Sequence, residues 1–208
     1  MTRAAYEISE KYESPVMIRL TTRVDHSKSL VELGEWKEVP AVPYVKQRDR
    51  LDDVPAVSKQ RRYVIEEREK QLKEYSENSP FNYEEMHDTK IGIVASGVAY
   101  MYAKEVLGDK ASYLKIGFSY PLPIEKIRAF SKKVDTLYVV EELDPVMEEQ
   151  IKAAGIDCHG KDVIPNIDEL NPNIVATGIL GKGFPSKTVP DGLFVPRPPA
   201  LCAGCPHR

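Results

Sequence analysis

The residues best suited to chemistry in this sequence are two cysteines near its end, Cys202 and Cys205. Gly204 lies between them and His207 follows two residues later. A Cys-x-x-Cys turn holds two thiolates close enough to share one metal ion, one iron–sulfur cluster or one disulfide. A tetrahedral zinc or a four-iron cluster needs two further ligands. The sequence has one other cysteine, Cys158, and its histidines show no ligand spacing (His26, His87, His159 and His207).

This motif can be interpreted in two ways. Half of a ligand set predicts that the chain is a fragment and that another domain completes the site. The alternative is a tight turn that carries two ordinary thiols. The spacing alone does not separate the two.

The elements that would position such a site alternate between strand and helix from Lys90 onward. A buried strand is predicted at Ile91–Ala95, because this run is short, apolar and rich in β-branched residues, and two further strands are predicted at 113–116 and 136–140. Helices are predicted between them, from Val98 to Leu107 and along Ile124, Ile127 and Phe130. This order predicts a three-layer α/β domain with a parallel sheet and right-handed crossovers.

Polar residues follow two of the predicted strands. Glu141 and Glu142 end the third strand, where open α/β sheets place ligands or partners, although a carboxylate there can equally cap the next helix. That helix is predicted to have Asp144 as its N-cap, Pro145 at its first position and Gly155 beyond its end. Ser96-Gly97 ends the first strand and is either an anion-binding helix start or a close-packed turn. No dinucleotide fingerprint or P-loop is present.

The first 88 residues have a different texture. A helix is predicted over 2–12 and a strand over 15–22, and both are interpreted as the end of a domain that begins earlier. Residues 34–60 form a proline-interrupted connector, followed by a long, highly charged helix over 58–77. A helical turn is expected at 166–170. From Gly178 the chain is expected to be an irregular linker that leads into the cysteine motif.

The composition excludes several classes of protein. The net charge is only −3, and no basic patch carries interleaved aromatic residues, so we expect no nucleic-acid binding. No apolar run approaches the roughly 20 residues that span a bilayer, and no signal peptide is found. Three cysteines do not form a secreted disulfide framework. We therefore expect a cytoplasmic protein that does not bind membranes.

Several segments resemble the large (alpha) subunit of indolepyruvate ferredoxin oxidoreductase. Residues 15–27, with the run Arg-Leu-Thr-Thr-Arg, resemble the end of its pyrimidine-binding domain. Residues 90–100, 116–123 and 139–145 resemble its transketolase C-terminal-like domain, and Arg197–Arg208 resembles the entry to its thiamine-diphosphate domain. The resemblance divides the chain into 1–33 (end of the pyrimidine-binding domain), 34–88 (linker and charged helix), 89–185 (α/β domain) and 186–208 (linker and start of the thiamine-diphosphate domain).

The family oxidatively decarboxylates arylpyruvates, chiefly indolepyruvate, to aryl-acetyl-CoA and passes the electrons to ferredoxin. The resemblance implies thiamine diphosphate, Mg²⁺ and [4Fe-4S] clusters in the full-length enzyme, none of them bound to this fragment. It places Cys202, Gly204, Cys205 and His207 near thiamine diphosphate, with Cys202 and Cys205 as possible cluster ligands. Pro206 replaces the second glycine of the Cys-Pro-Gly-Cys-Gly-His segment of related enzymes, so the two cysteines can instead only line the thiamine site.

No catalytic residue is expected within the chain, which alone should be inactive. Its implied role is that of a scaffold and subunit interface, with Glu141 and Glu142 at the contact. The implied partners are the small (beta) subunit, ferredoxin, coenzyme A and the arylpyruvate. The alternative is a non-catalytic α/β interaction module that binds a partner subunit.

Overall fold

The computed structural model describes residues 1–36, 38–185, 190, 192–193, 201 and 203–205. Before the sheet lie four helices: α1 (Thr2–Tyr12), α2 (Thr22–Asp25), α3 (Arg48–Leu51) and α4 (Pro55–Asn78). The sheet contains β1 (Asn82–Glu85), β2 (Ile91–Ser96), β3 (Ser112–Ile116) and β4 (Thr136–Val140). Among and after the strands lie α5 (Gly97–Leu107), α6 (Ile124–Ser131), α7 (Val146–Ala153) and α8 (Pro172–Leu180).

The strand order is β1-β3-β2-β4. β2 pairs in parallel with both β3 and β4, which confirms the three predicted strands and their direction. β1 is an antiparallel edge strand on β3 and lies before residue 89, where the predicted α/β domain begins. The sequence Asn-Tyr-Glu-Glu does not show the apolar pattern of a strand, so β1 was not predicted.

Helices cover both faces of the sheet, which confirms the three-layer architecture. On one face, Ile93 and Tyr113 pack with α5 and α8 in a fully buried cluster. On the other face, Val94 and Leu114 pack with α6 and α7 in a second cluster, together with Ile127. Alternate residues of β2 therefore serve opposite cores, as the period of a strand requires.

Two predicted elements outside the parallel core are wrong. Residues 15–20 form no strand, and a short helix begins at Thr22. A single strand leaves its backbone groups unpaired unless a second strand lies beside it, and no described strand pairs with this segment. The predicted helical turn at 166–170 is a series of bends, and the helix lies further on, at α8.

The long charged helix is joined to the sheet by its last turn. The Ser76 hydroxyl donates to Pro121 O (2.5 Å), and the Glu77 carboxylate accepts from the amides of Glu125 (2.9 Å) and Lys126 (2.8 Å) at the start of α6. Asn82 accepts from the amides of Gly117 and Phe118 at the end of β3. The carboxyl end of β3 and the segment after it are thereby held by α4 and β1, which precede the alternating strands and helices in the chain. No helix in the described part of the chain is long and apolar enough to cross a bilayer.

Candidate functional site

The carboxyl ends of the parallel strands form the candidate site. β2 lies between β3 and β4, and the helix after β2 covers one face of the sheet, whereas the helix after β4 covers the other. The loops Ser96-Gly97 and Glu141–Asp144 therefore lead away in opposite directions. This arrangement is a topological switch point, where doubly wound sheets open a crevice for ligands or partners.

Glu141 is buried at this edge and caps the next helix. Its carboxylate accepts from the amides of Met147 (2.9 Å) and Glu148 (2.9 Å), the first turn of α7. The predicted cap, Asp144, is wrong: α7 begins at Val146, and Asp144 contributes its backbone carbonyl, which accepts from the Val146 amide. Burial raises the pKa of Glu141, whereas the two amide hydrogen bonds lower it.

A second buried carboxylate, Glu148, links α7 to the loop that contains Lys161. It accepts from Lys152 Nζ (2.6 Å) and from the amide of Lys161 (2.8 Å). The Lys161 ammonium in turn donates to Glu141 O (2.6 Å), and burial lowers the pKa of Lys161. A Cβ on Gly160 would lie 2.2 Å from Glu148 Oε2, so any larger residue there would displace the carboxylate. This network holds the 141–148 loop in place.

Glu142 is used differently from Glu141. Its carboxylate accepts from the amide of Leu170 (2.8 Å), which ties the loop to the segment before α8. The next residue, Leu143, has a φ of 60° and a side chain that is 45% exposed. A non-glycine residue in this conformation is strained and persists where its surroundings impose it. The capping alternative therefore describes the hydrogen bonds of Glu141, and an interface role for Glu141 and Glu142 stays a prediction.

The Ser96-Gly97 turn opens α5 without a side-chain cap. Gly97 has a φ of 53°, and nothing lies within 4 Å of the position of an added Cβ. Glycine is required here by the backbone conformation and not by close packing.

The cysteine motif is described only in part. Cys202 and His207 lie outside the described residues. Gly204 has a φ of 82°, as a tight turn requires, and Cys205 is half-buried. Among the described residues, no group of three or more His, Cys, Asp or Glu side chains could hold a metal ion. The third cysteine, Cys158, is buried, and burial raises its pKa to about 11, so it is not an activated nucleophile.

One polar cluster was missed by sequence reasoning because it depends on β1. The Glu85 carboxylate accepts from Tyr100 OH and from Lys104 Nζ, both on α5. The hydrogen bond from Lys104 lowers the pKa of Glu85, and burial raises that of Tyr100 to about 12. Only the spacing of Tyr100 and Lys104 on one helix face could have signalled the pair. The cluster joins the edge strand to α5 and lies on a face of the sheet, not at the carboxyl edge.

A cavity of about 510 Å³ lies at the other end of β4. It is lined by Thr136 and Leu137 at the start of that strand, with Arg128, Lys132 and Cys158 around them. Ligands of doubly wound sheets bind at the carboxyl ends of the strands. The switch point therefore remains the candidate site, and this cavity does not belong to it.

Comparison with known proteins gives consistent relatives. No family model matches the chain. The chain is 35% identical to the indolepyruvate oxidoreductase subunit IorA of Pyrococcus abyssi, over 100% of this chain and 36% of that protein. It is 37% identical to the IorA subunit of Methanothermobacter thermautotrophicus, over 98% of this chain and 36% of that protein. The chain thus spans about a third of the length of the curated relatives it matches, and the resemblance seen in the motifs is confirmed along the whole chain.

One solved structure resembles part of this chain: a 2-oxoglutarate:ferredoxin oxidoreductase from Magnetococcus marinus with 2-oxoglutarate, coenzyme A and succinyl-CoA bound. The match covers 52% of this chain and 20% of the chain in that structure. The TM-score is 0.40 and the identity is 14%. A match at this level carries no argument about the site.

Proposed function

We propose, from the similarity of the whole chain to part of the indolepyruvate oxidoreductase subunit IorA, that this chain is a segment of the large subunit of a thiamine-dependent 2-oxoacid oxidoreductase. The observation that carries the proposal is the 35–37% identity to the relatives from Pyrococcus abyssi and Methanothermobacter thermautotrophicus over at least 98% of the chain. In the proposed domain order, 1–33 ends the pyrimidine-binding domain, 34–88 is the linker, 89–185 is the α/β domain and 186–208 leads into the thiamine-diphosphate domain.

The proposed reaction is the oxidative decarboxylation of an arylpyruvate such as indolepyruvate. Its carboxylate leaves as CO₂, its keto carbon becomes the thioester of coenzyme A, and the two electrons released reduce two molecules of ferredoxin. Bound thiamine diphosphate supplies the carbanion chemistry. Mg²⁺ and [4Fe-4S] clusters belong to the same full-length enzyme, and the small subunit and ferredoxin are its proposed partners. A cytoplasmic location is part of the proposal.

Within that enzyme, the chain acts as scaffold and subunit interface. The two buried carboxylates at the switch point, Glu141 and Glu148, are held by amides and lysines of the same chain and cap or anchor backbone. Such side chains fix a loop and are not free to move a proton to a substrate. Exposed residues of the loop, Leu143 and Val146, are left to contact a partner. These features support the scaffold role.

The cysteine motif enters this proposal through the resemblance. Cys202, Gly204, Cys205 and His207 are proposed to lie near thiamine diphosphate in the full-length protein. The described part of the motif, a left-handed turn at Gly204 beside a half-buried Cys205, does not by itself supply a ligand set for a cluster. No step is therefore derived through iron at these residues.

The test is a substrate comparison with the full-length subunit purified together with the small subunit. Release of CO₂ from carboxyl-labelled indolepyruvate, phenylpyruvate and 2-oxoglutarate is measured with ferredoxin and coenzyme A. We expect turnover of the two arylpyruvates and little turnover of 2-oxoglutarate. Equal or preferential turnover of 2-oxoglutarate would contradict the proposed substrate class.

The second candidate is the non-catalytic interaction module, which the exposed loop Leu143–Val146 favours. Under that function the full-length subunit would bind its partner but would release no CO₂ from any 2-oxoacid when loaded with thiamine diphosphate. Size-exclusion chromatography of the mixture, run beside the turnover assay, separates the two candidates.

A further inference from the structure

Residues 28–46, called the strap segment below, connect α2 to α3, and those of them that the structure describes (28–36 and 38–46) form no helix or strand. Among the described residues of the strap segment, no amide or carbonyl takes part in a backbone–backbone hydrogen bond. Polar backbone groups of a native protein are normally paired or in water. Backbone hydrogen bonds to the rest of this chain therefore do not hold the described residues of the strap segment.

The large apolar side chains of the strap segment are exposed to solvent. Leu30, Leu33 and Trp36 are 102%, 94% and 91% exposed. Five further large apolar side chains are largely exposed in the same segment: Val31, Val39, Val42, Tyr44 and Val45. Single exposed apolar residues are ordinary, but eight of them in one stretch are not.

The size of this apolar surface is that of a specific interface. Eight side chains of these types present roughly 1,000 Å² of apolar surface. A stable protein interface buries about 800 Å² on each partner. The α/β region of the same chain, by contrast, buries its strands in two apolar clusters. The strap segment therefore has the composition of a buried element and lacks the surface that buries it.

The helices before and after the strap segment in the chain contact one another, through the C-terminal end of α1 and through α3 and α4. The Glu13 carboxylate, just after α1, pairs with Arg50 of α3 (3.1 Å) and with Arg68 of α4 (4.0 Å). Tyr12 stacks edge-to-face on Tyr75 of α4 at 5.8 Å. The strap segment thus lies within a longer stretch, 14–49, that leaves this helical cluster and returns to it.

We propose that the strap segment packs against the part of its own polypeptide that lies outside this chain. The relatives are almost three times as long as this chain, since it covers 36% of each of them. A surface on the same polypeptide meets a tethered loop at a high effective concentration, which a separate partner does not. The inference needs the chain to be part of a longer subunit, as the proposed function holds, but needs no particular reaction.

The test is hydrogen–deuterium exchange of the full-length subunit, expressed without the small subunit and measured at two protein concentrations. We expect the amides of the strap segment to exchange at least about tenfold slower than unstructured peptide, equally at both concentrations. The measurement involves no substrate and no turnover, so its failure is distinct from a failure of the proposed reaction.

A pair of adjacent variants tests the apolar contact itself. Trp36→Ser should bring the exchange of the strap segment in the full-length subunit back toward the unstructured rate. Glu35→Ser, which places the same new residue beside it on an exposed acidic position, should leave the protection within about twofold of wild type.

Three results would overturn the proposal. Protection that appears only when the small subunit is added would assign the surface to that subunit. Protection that is lost on dilution would assign it to a second copy of the subunit. Exchange at the unstructured rate under all conditions would make the strap segment a solvated linker.

Discussion

A methyl group added at Gly160 tests the buried network that holds the switch-point loop. In Gly160→Ala the new Cβ would lie 2.2 Å from Glu148 Oε2 and 2.3 Å from Glu148 Cδ. Carbon and oxygen cannot approach so closely, so the Glu148 carboxylate must rotate away. The Gly160 backbone is not in the left-handed region, so the cost comes from the carboxylate and not from φ.

The magnitude follows from the contacts that this rotation breaks. The Lys161 amide loses its acceptor in a partly buried position, which costs about 1–3 kcal/mol. The pair with Lys152 contributes about 0–1 kcal/mol, because the Lys152 side chain is 47% exposed and solvent screens it. Together with modest overpacking, we expect Gly160→Ala to lower the free energy of unfolding by about 2–4 kcal/mol.

The assay is urea unfolding of the chain, followed by circular dichroism, for Gly160→Ala, Glu148→Ala and the double variant. In the double variant the carboxylate is gone and the new methyl has room. Its free energy of unfolding should therefore equal that of Glu148→Ala within about 0.5 kcal/mol. Gly34→Ala is the matched control, because nothing lies within 4 Å of its added Cβ, and it should change stability by less than about 0.5 kcal/mol. Additive losses at Gly160 and Glu148 would refute the reasoning.

Three further predictions concern the core, the cap and the cysteine motif. Ile93→Asp places an unpaired carboxylate at a fully buried position of β2, at a cost comparable with a domain's net stability of about 5–15 kcal/mol. The variant should therefore be insoluble or lack a cooperative melt. A near-normal melting temperature would contradict this. Because burial raises the pKa of Glu141, its stabilising contribution is greatest below the ordinary value of 4.5 and declines as the pH rises through the folded pKa. The free energy of unfolding of wild type, minus that of Glu141→Gln, should therefore fall as the pH rises over that range. A rise in this difference would mean that the two amide hydrogen bonds outweigh burial. Cys202→Ser with Cys205→Ser should leave the melting temperature of this chain unchanged but impair turnover of the full-length enzyme; wild-type rate, thiamine content and iron content in that variant would make the motif a structural turn.

The parallel core was predictable from the sequence because each of its strands is a short run of apolar residues that needs no distant partner to be recognised. β1 was not, because its polar sequence becomes a strand only through β3 and through Asn82, whose side chain holds Gly117 and Phe118. The opposite error occurred at 15–22, where a strand-like pattern has no described strand beside it.

Helix α8 was missed although its signals are present. Asn171 caps it, accepting from the Ile174 amide at 3.1 Å, and Pro172 is at its first position. Gly178 was interpreted as the start of a linker. In the structure it lies inside the helix, where an added Cβ would meet Val163 O at 2.4 Å. From the sequence alone, a glycine that ends a helix cannot be told from a glycine that allows another segment to pack closely against the helix.

The location of the candidate site was predictable and its hydrogen bonds were not. Chain order alone places Glu141 and Glu142 at the carboxyl end of β4. Which carboxylate caps α7 depends on the backbone path through Pro145. What anchors Glu148 depends on Lys161, thirteen residues further along the chain. Contacts of this range follow from the folded structure and leave no local pattern.

The central claim is that this chain is scaffold within a larger 2-oxoacid oxidoreductase. Its most direct test is one measurement on two samples: indolepyruvate-dependent reduction of ferredoxin by the 208-residue chain and by the full-length subunit, each mixed with the small subunit, thiamine diphosphate, Mg²⁺ and coenzyme A. We predict reduction by the full-length sample and none by the 208-residue chain. Turnover by the shorter sample would contradict the scaffold role, and no turnover by a full-length sample that retains its thiamine and iron would contradict the proposed reaction.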